Sequence, residues 1–124
     1  MKGAPGVVII DDASFARGLV RKLLEGAGFK VLAEGSDGYE AIELYEKFRP
    51  DLLTLDIVMP GLDGLSALEK IREIDPEASV LVVSSVGDED IFLKAMKLGA
   101  RDFATKPLDP QRFIQVVRKV LGML

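Results

Sequence analysis

The chain has no cysteine, no histidine and no tryptophan in its 124 residues. Without cysteine there is no disulfide framework, no thiolate metal site and no cysteine nucleophile. Without histidine, most zinc sites and every imidazole base are excluded too. Nucleophilic chemistry therefore falls to Ser, Thr, Lys or a carboxylate. An excess of positive charge is also missing: 20 acids against 16 bases give a formal charge of −4, which leaves no electrostatic footprint for nucleic acid. The 48% hydrophobic share is divided among short segments, none of the length a membrane-spanning helix needs, so no membrane insertion is expected. The start, Met1-Lys2-Gly3-Ala4-Pro5-Gly6, carries neither the apolar region nor the cleavage site of a signal peptide. A cytoplasmic location is the expectation.

What is present is a set of short apolar runs that stop at polar residues. Val7-Val8-Ile9-Ile10 runs into Asp11-Asp12, and Leu52-Leu53-Thr54-Leu55 runs into Asp56. Val80-Leu81-Val82-Val83 ends at Ser84-Ser85, and Phe103-Ala104-Thr105 leads into Lys106-Pro107. With Val31-Leu32-Ala33 these make five candidate strands, alternating with amphipathic segments of helical period. That alternation predicts an α/β domain in which βα units surround a parallel sheet, and the length fits one domain over residues 1–124. In an open parallel sheet ligands bind at the carboxyl ends of the strands, so the acids, the hydroxyl and the ammonium read as one site, suited to a divalent cation with a phosphoryl group.

Helix boundaries follow from capping chemistry. Asp37 with Glu40 reads as a capping box, and Asp63, Asp88 and Asp109 read as N-caps, the last followed by Pro110 in a first turn. Gly26, Gly28 and Gly99 mark C-termini, while Pro50 and Asp75-Pro76 close two other helices. The expected inner faces are Phe15, Leu19, Leu23 and Leu24; Ala41, Ile42, Tyr45 and Phe48; Leu65, Leu68 and Ile71; Ile91, Ala95 and Leu98; and Phe113, Val117, Val120 and Leu121. Phe92 and Met96 form a second stripe on the fourth helix, either a docking surface or the edge of a wide core face.

The ordered set Asp11-Asp12, Asp56-Ile57-Val58-Met59-Pro60 with Asp63-Gly64, Ser84, and Lys106-Pro107 resembles the receiver domain of two-component response regulators. The resemblance covers essentially the whole chain. It implies a doubly wound five-stranded sheet of flavodoxin or CheY type with strand order 2-1-3-4-5, an order taken from the family. The chain is most similar to stand-alone chemotaxis receivers of the CheY type. Ala13-Ser14-Phe15 and the run from Asp102 to Pro107 also resemble receivers attached to methylesterases. A domain cut from a longer regulator is the alternative.

Several roles follow from the resemblance. Asp56, just before the turn ending in Met59-Pro60, would accept a phosphoryl group from a sensor histidine kinase of CheA type. Three gathered carboxylates repel one another, and Mg²⁺ relieves this with oxygen ligands, meeting Asp12 and Asp56 directly. The family implies that Asp11 acts through water and that the Val58 carbonyl joins the ligand set. Lys106 would supply charge neutralisation, with a Lys106-Pro107 bond that is often cis in the family. Ser84 would bond the new phosphoryl oxygens, and Phe103 either turns inward as a switching aromatic or is a fixed core residue. A target would dock on the face made by the fourth helix, the fifth strand and the fifth helix; for a chemotaxis receiver that target is the flagellar motor switch. Val58 and Val86, two residues after the acceptor and the hydroxyl, cannot orient water, which predicts slow self-dephosphorylation and reliance on a separate phosphatase. The protein is expected to be a monomeric signalling switch, not an enzyme in the ordinary sense. Haloacid-dehalogenase-like phosphatases also use an aspartate nucleophile, but they need a second acid where this chain has Val58. A pseudo-receiver that only binds would normally lack one of the acids or the lysine, all of which are present.

Overall fold

In a parallel sheet covered by helices on both faces, central strands have no solvent side and are apolar throughout. The strands β1 (Gly6–Ile10), β3 (Leu52–Leu55) and β4 (Val80–Ser84) are buried at every position. The remaining strands, β2 (Lys30–Gly35) and β5 (Asp102–Thr105), lie at the two edges and are partly exposed. All neighbouring pairs are parallel, and the order is β2-β1-β3-β4-β5, as the family resemblance implied. The computed structural model describes residues 3–85 and 89–123. Val86 and the proposed cap Asp88 lie outside the described residues.

Strand side chains alternate between two cores. Val8, Ile10, Leu53, Leu55, Val80 and Val82 face α2 (Gly38–Phe48), α3 (Gly64–Ile74) and α4 (Glu89–Lys97). Val7, Ile9, Leu52, Leu81 and Val83 face α1 (Ser14–Gly26) and α5 (Pro110–Val120). Each such aliphatic side chain contributes about 1.5–3 kcal/mol relative to exposure. Among the described residues no helix is long and apolar enough to cross a membrane.

The caps form largely as expected. Asp37, Asp63 and Asp109 accept hydrogen bonds from the backbone N–H groups of Glu40, Ser66 and Gln111. Glu40 reaches the N–H and hydroxyl of Ser36, one residue upstream of the cap that a standard box would bond. Gly28 and Gly99 adopt the left-handed region, at φ 92° and 103°. The inner face of α1 differs from expectation. Val20 and Leu24 are buried there, whereas Phe15 is 85% exposed and Leu19 41%. At 3.6 residues per turn each four-residue step drifts by about 40°, so the series Phe15, Leu19, Leu23 starts on the solvent face and reaches the core only at Leu23, which packs partly buried against it. On α2, Ala41 and Tyr45 are buried, while Phe48, at the helix end, is largely outside the core.

Candidate functional site

The backbone hydrogen-bond ladder continues one residue past the strands, and it is these extra rungs that align the site. The Asp11 N–H donates to the Gly35 carbonyl at 3.1 Å, the Asp56 N–H to Ile10 at 2.9 Å, and the Lys106 N–H to Ser84 at 3.0 Å. Residues far apart in sequence are thereby brought to the same edge. Carboxylate oxygens of Asp11, Asp12 and Asp56 lie within 4.8 Å of one another. Asp11 and Asp56 are buried and Asp12 is exposed. Lys106 Nζ donates to Asp11 Oδ2 at 2.5 Å and sits 3.5 Å from Asp56 Oδ2. The Lys106-Pro107 peptide is cis.

One ammonium thus faces three carboxylates, and the donor set is entirely hard oxygen, the kind Mg²⁺ prefers. Burial holds the Asp56 carboxyl above the usual carboxylate range; the Lys106 charge opposes this and the Asp11 charge adds to it. Burial pulls Lys106 down, but the Asp11 hydrogen bond and the Asp56 and Asp11 charges outweigh it, so the lysine ends above its ordinary value. The carboxylates therefore hold Lys106 protonated, ready to neutralise a developing anion.

Asp56 is steadied by the Val58 N–H, which donates to its Oδ1 at 3.2 Å. The Val58 side chain is exposed beside it. Gly64 opens α3 under Asp56, and a Cβ there would stand 2.4 Å from the Asp56 carbonyl oxygen, so only glycine allows this approach. Ser84 ends β4 fully buried, next to the Asp56-bearing strand.

Phe103 is partly buried on β5 and meets Phe92 of α4 edge to face, with ring centroids 5.4 Å apart. Phe92 is therefore half a packing partner of Phe103 and half a surface residue. Leu93 and Met96 extend the exposed apolar stripe on α4. Leu93 carries no signal in the sequence, since its helical neighbours Asp90 and Lys97 give it no apolar pattern. The Arg17 guanidinium, also outside the motifs of the sequence, donates to the Asp11 carbonyl at 2.6 Å. The available signal was the Arg17, Arg21 pair at i, i+4 on α1, but its partner Glu34 lies on another element.

The response regulator receiver domain model matches residues 7–118. The chain belongs to that family. It is 40% identical to the chemotaxis protein CheY of Thermotoga maritima, over 92% of this chain and 95% of that one. It is also 41% identical to a protein-glutamate methylesterase/protein-glutamine glutaminase of Methanospirillum hungatei, over 95% of this chain but only 34% of the longer enzyme. Among solved receivers, the CheX–CheY–BeF3–Mg²⁺ complex from Borrelia burgdorferi aligns with a TM-score of 0.90 and 34% identity, covering 93% of this chain and 87% of that one. The receiver fold is thus common to this chain and its relatives.

Proposed function

We propose that this receiver is a phosphorylation-activated switch of a chemotaxis pathway that takes its phosphoryl group on Asp56. The observation that carries the reading is the position of Lys106, whose ammonium reaches both Asp11 and Asp56 across the acidic cluster. Asp56 and Asp11 each pair with Lys106 and each have a backbone donor on the other oxygen; Asp56 is assigned as the acceptor because it stands just before the turn ending in Met59-Pro60, as the family's acceptor does. Its carboxylate oxygen attacks phosphorus and the bond from phosphorus to the donor kinase imidazole breaks, with the electron pair leaving on nitrogen. The product is an acyl phosphate, and hydrolysis returns the carboxylate and inorganic phosphate. Asp11, Asp12 and Asp56, with the Val58 carbonyl, would hold Mg²⁺, which when bound neutralises phosphoryl oxygens and favours in-line transfer. Lys106 stabilises the same charge from the β5 side, and no acid–base residue is needed beyond it. The absence of histidine is therefore compatible with the chemistry. In this sense the protein promotes its own phosphorylation and its slow reversal without acting on a released substrate.

The switch runs through Ser84 and Phe103. The Ser84 hydroxyl bonds phosphoryl oxygens, Phe103 repacks, and the contact with Phe92 carries the change to the α4 stripe that includes Met96. Two states a few kcal/mol apart suffice for such a population shift. The similarity to CheY proteins over nearly their whole length supports a sensor histidine kinase of CheA type as donor and the flagellar motor switch as target, with a phosphatase ending the signal. A second reading, a receiver joined to an effector, is supported by the methylesterase relative.

The test is incubation with acetyl phosphate and Mg²⁺ followed by intact mass measurement. A gain of one phosphoryl group on wild type but not on Asp56→Asn is expected. No gain on wild type would leave a receiver that only binds. Capture of a flagellar component by the phosphorylated form, and not by Asp56→Asn, tests the chemotaxis output.

A further inference from the structure

Asp11 is held on every side. Its N–H bonds Gly35, its Oδ1 accepts from the Ala13 N–H at 2.9 Å, its Oδ2 accepts from Lys106, and its carbonyl accepts from Arg17. Asp12 has a different situation: it is exposed, so packing does not hold its carboxylate near the other two. The direction in which Asp12 leaves the chain is set by the peptide plane that joins it to Asp11. The oxygen of that peptide is the one Arg17 grips.

Apart from the Ala13 N–H, which donates to Asp11 Oδ1, the α1 terminus gives this turn no side-chain support among the described residues. Its N-cap, Ala13, has no side chain capable of capping, and no acid occupies the first helical turn. Arg17 is itself braced, because its Nε donates to Glu34 Oε1 at 3.2 Å, and Glu34 stands on β2 in register with Ile9. Arg21 donates to the other Glu34 oxygen at 2.7 Å. The planar guanidinium spans a carbonyl and a carboxylate at once, a task its fork of donors suits and a single ammonium does not. Glu34 offsets part of the Arg17 charge, sharing its carboxylate with Arg21.

We propose that Arg17, braced by Glu34, is a positioning residue that orients the Asp11-Asp12 peptide and so aims Asp12 into the cation site. This rests on the reading of the acidic cluster as an Mg²⁺ site. Partners of this kind, outside the ligand set, commonly change metal affinity by 10–100-fold.

The experiment titrates Mg²⁺ into the metal-free full chain by calorimetry for wild type, Arg17→Ala, Arg17→Lys and Arg21→Ala. Arg17→Ala is expected to weaken Mg²⁺ binding by about tenfold and to move the Asp12 amide resonance before any metal is added. Arg17→Lys keeps the charge and covers the case in which alanine fails to fold; it too is expected to bind weakly. Arg21→Ala loses the same Glu34 partner without touching Asp11, and is expected to keep wild-type affinity whatever happens to its melting temperature. Wild-type affinity in both Arg17 variants overturns the proposal, as does an equal loss in Arg21→Ala, which would mean general loosening of α1. Failure of wild type itself to take up Mg²⁺ is a separate result: it removes the cation site and the reading beneath the proposal.

Discussion

Replacing Lys106 by Met removes the ammonium and keeps a long apolar stem, so the perturbation is one of charge. The ammonium lies 2.5 Å from Asp11 Oδ2 and 3.5 Å from Asp56 Oδ2, with side-chain exposures of 23% for the lysine against 5% and 9% for the acids. Removing one partner of a buried pair costs about 3–5 kcal/mol. Solvent reaches this pair from the Lys106 side, which lowers the cost to about 2–3 kcal/mol. For a domain of this size about 1 kcal/mol moves the melting temperature by roughly 4 °C, so a loss of about 8–12 °C is expected in metal-free buffer. The deficit belongs to ionised carboxylates. It should therefore shrink as acid protonates Asp56, whose carboxyl burial already raises, and shrink again as Mg²⁺ supplies the missing positive charge. Scanning calorimetry in chelator, repeated across pH and Mg²⁺ concentration, measures all three. A Lys106→Met protein that melts with wild type in chelator at neutral pH would refute the claim that this ammonium holds the carboxylates together.

Asp56 gives a pH dependence of defined sign. Its carboxyl is raised by burial, so the folded state binds that proton more tightly than the unfolded chain does. Stability consequently falls as pH rises from the ordinary carboxylate value through the raised one, and stays reduced above it. Asp56→Asn should melt above wild type in metal-free buffer at neutral pH, with the gap closing in acid; coincident neutral melts would contradict this. Gly64→Ala gains about 1 kcal/mol of helix propensity, yet its methyl would meet the Asp56 carbonyl oxygen at 2.4 Å and Ile57 Cα at 2.5 Å. Net destabilisation of about 1–3 kcal/mol is expected in urea unfolding, and a higher midpoint than wild type would disprove the close approach. Finally, Val58 is exposed beside the acceptor without a group to orient water, and the sequence has Val86 two residues after Ser84. The acyl phosphate of a Val58→Asn, Val86→Glu double variant should decay faster than that of wild type, and equal decay would remove the explanation for a long-lived signal.

The parts of the molecule readable from sequence are those whose causes lie within a few residues or repeat with a fixed period. Strand ends at Asp11, Asp56, Ser84 and Lys106 follow from where apolar runs stop. The caps at Asp37, Asp63 and Asp109 follow from a carboxylate outcompeting solvent for nearby N–H groups. Phe15 and Leu19 show where that logic fails. They fit a helical stripe, but the face that meets the sheet is fixed by how α1 lies against β1 and α5, which centres it on Val20 and Leu24.

By itself the sequence determined that helices alternate with buried strands and that acids, hydroxyl and ammonium all stand at strand ends, because period and capping are local properties. Only the tertiary structure decided that Lys106 lands on Asp11, ninety-five positions away, that Arg17 grips the peptide ahead of Asp12, and that Phe92 leans on Phe103. Those contacts depend on the strand order and on the extra ladder rungs at the sheet edge, which set distances between segments that no local pattern encodes.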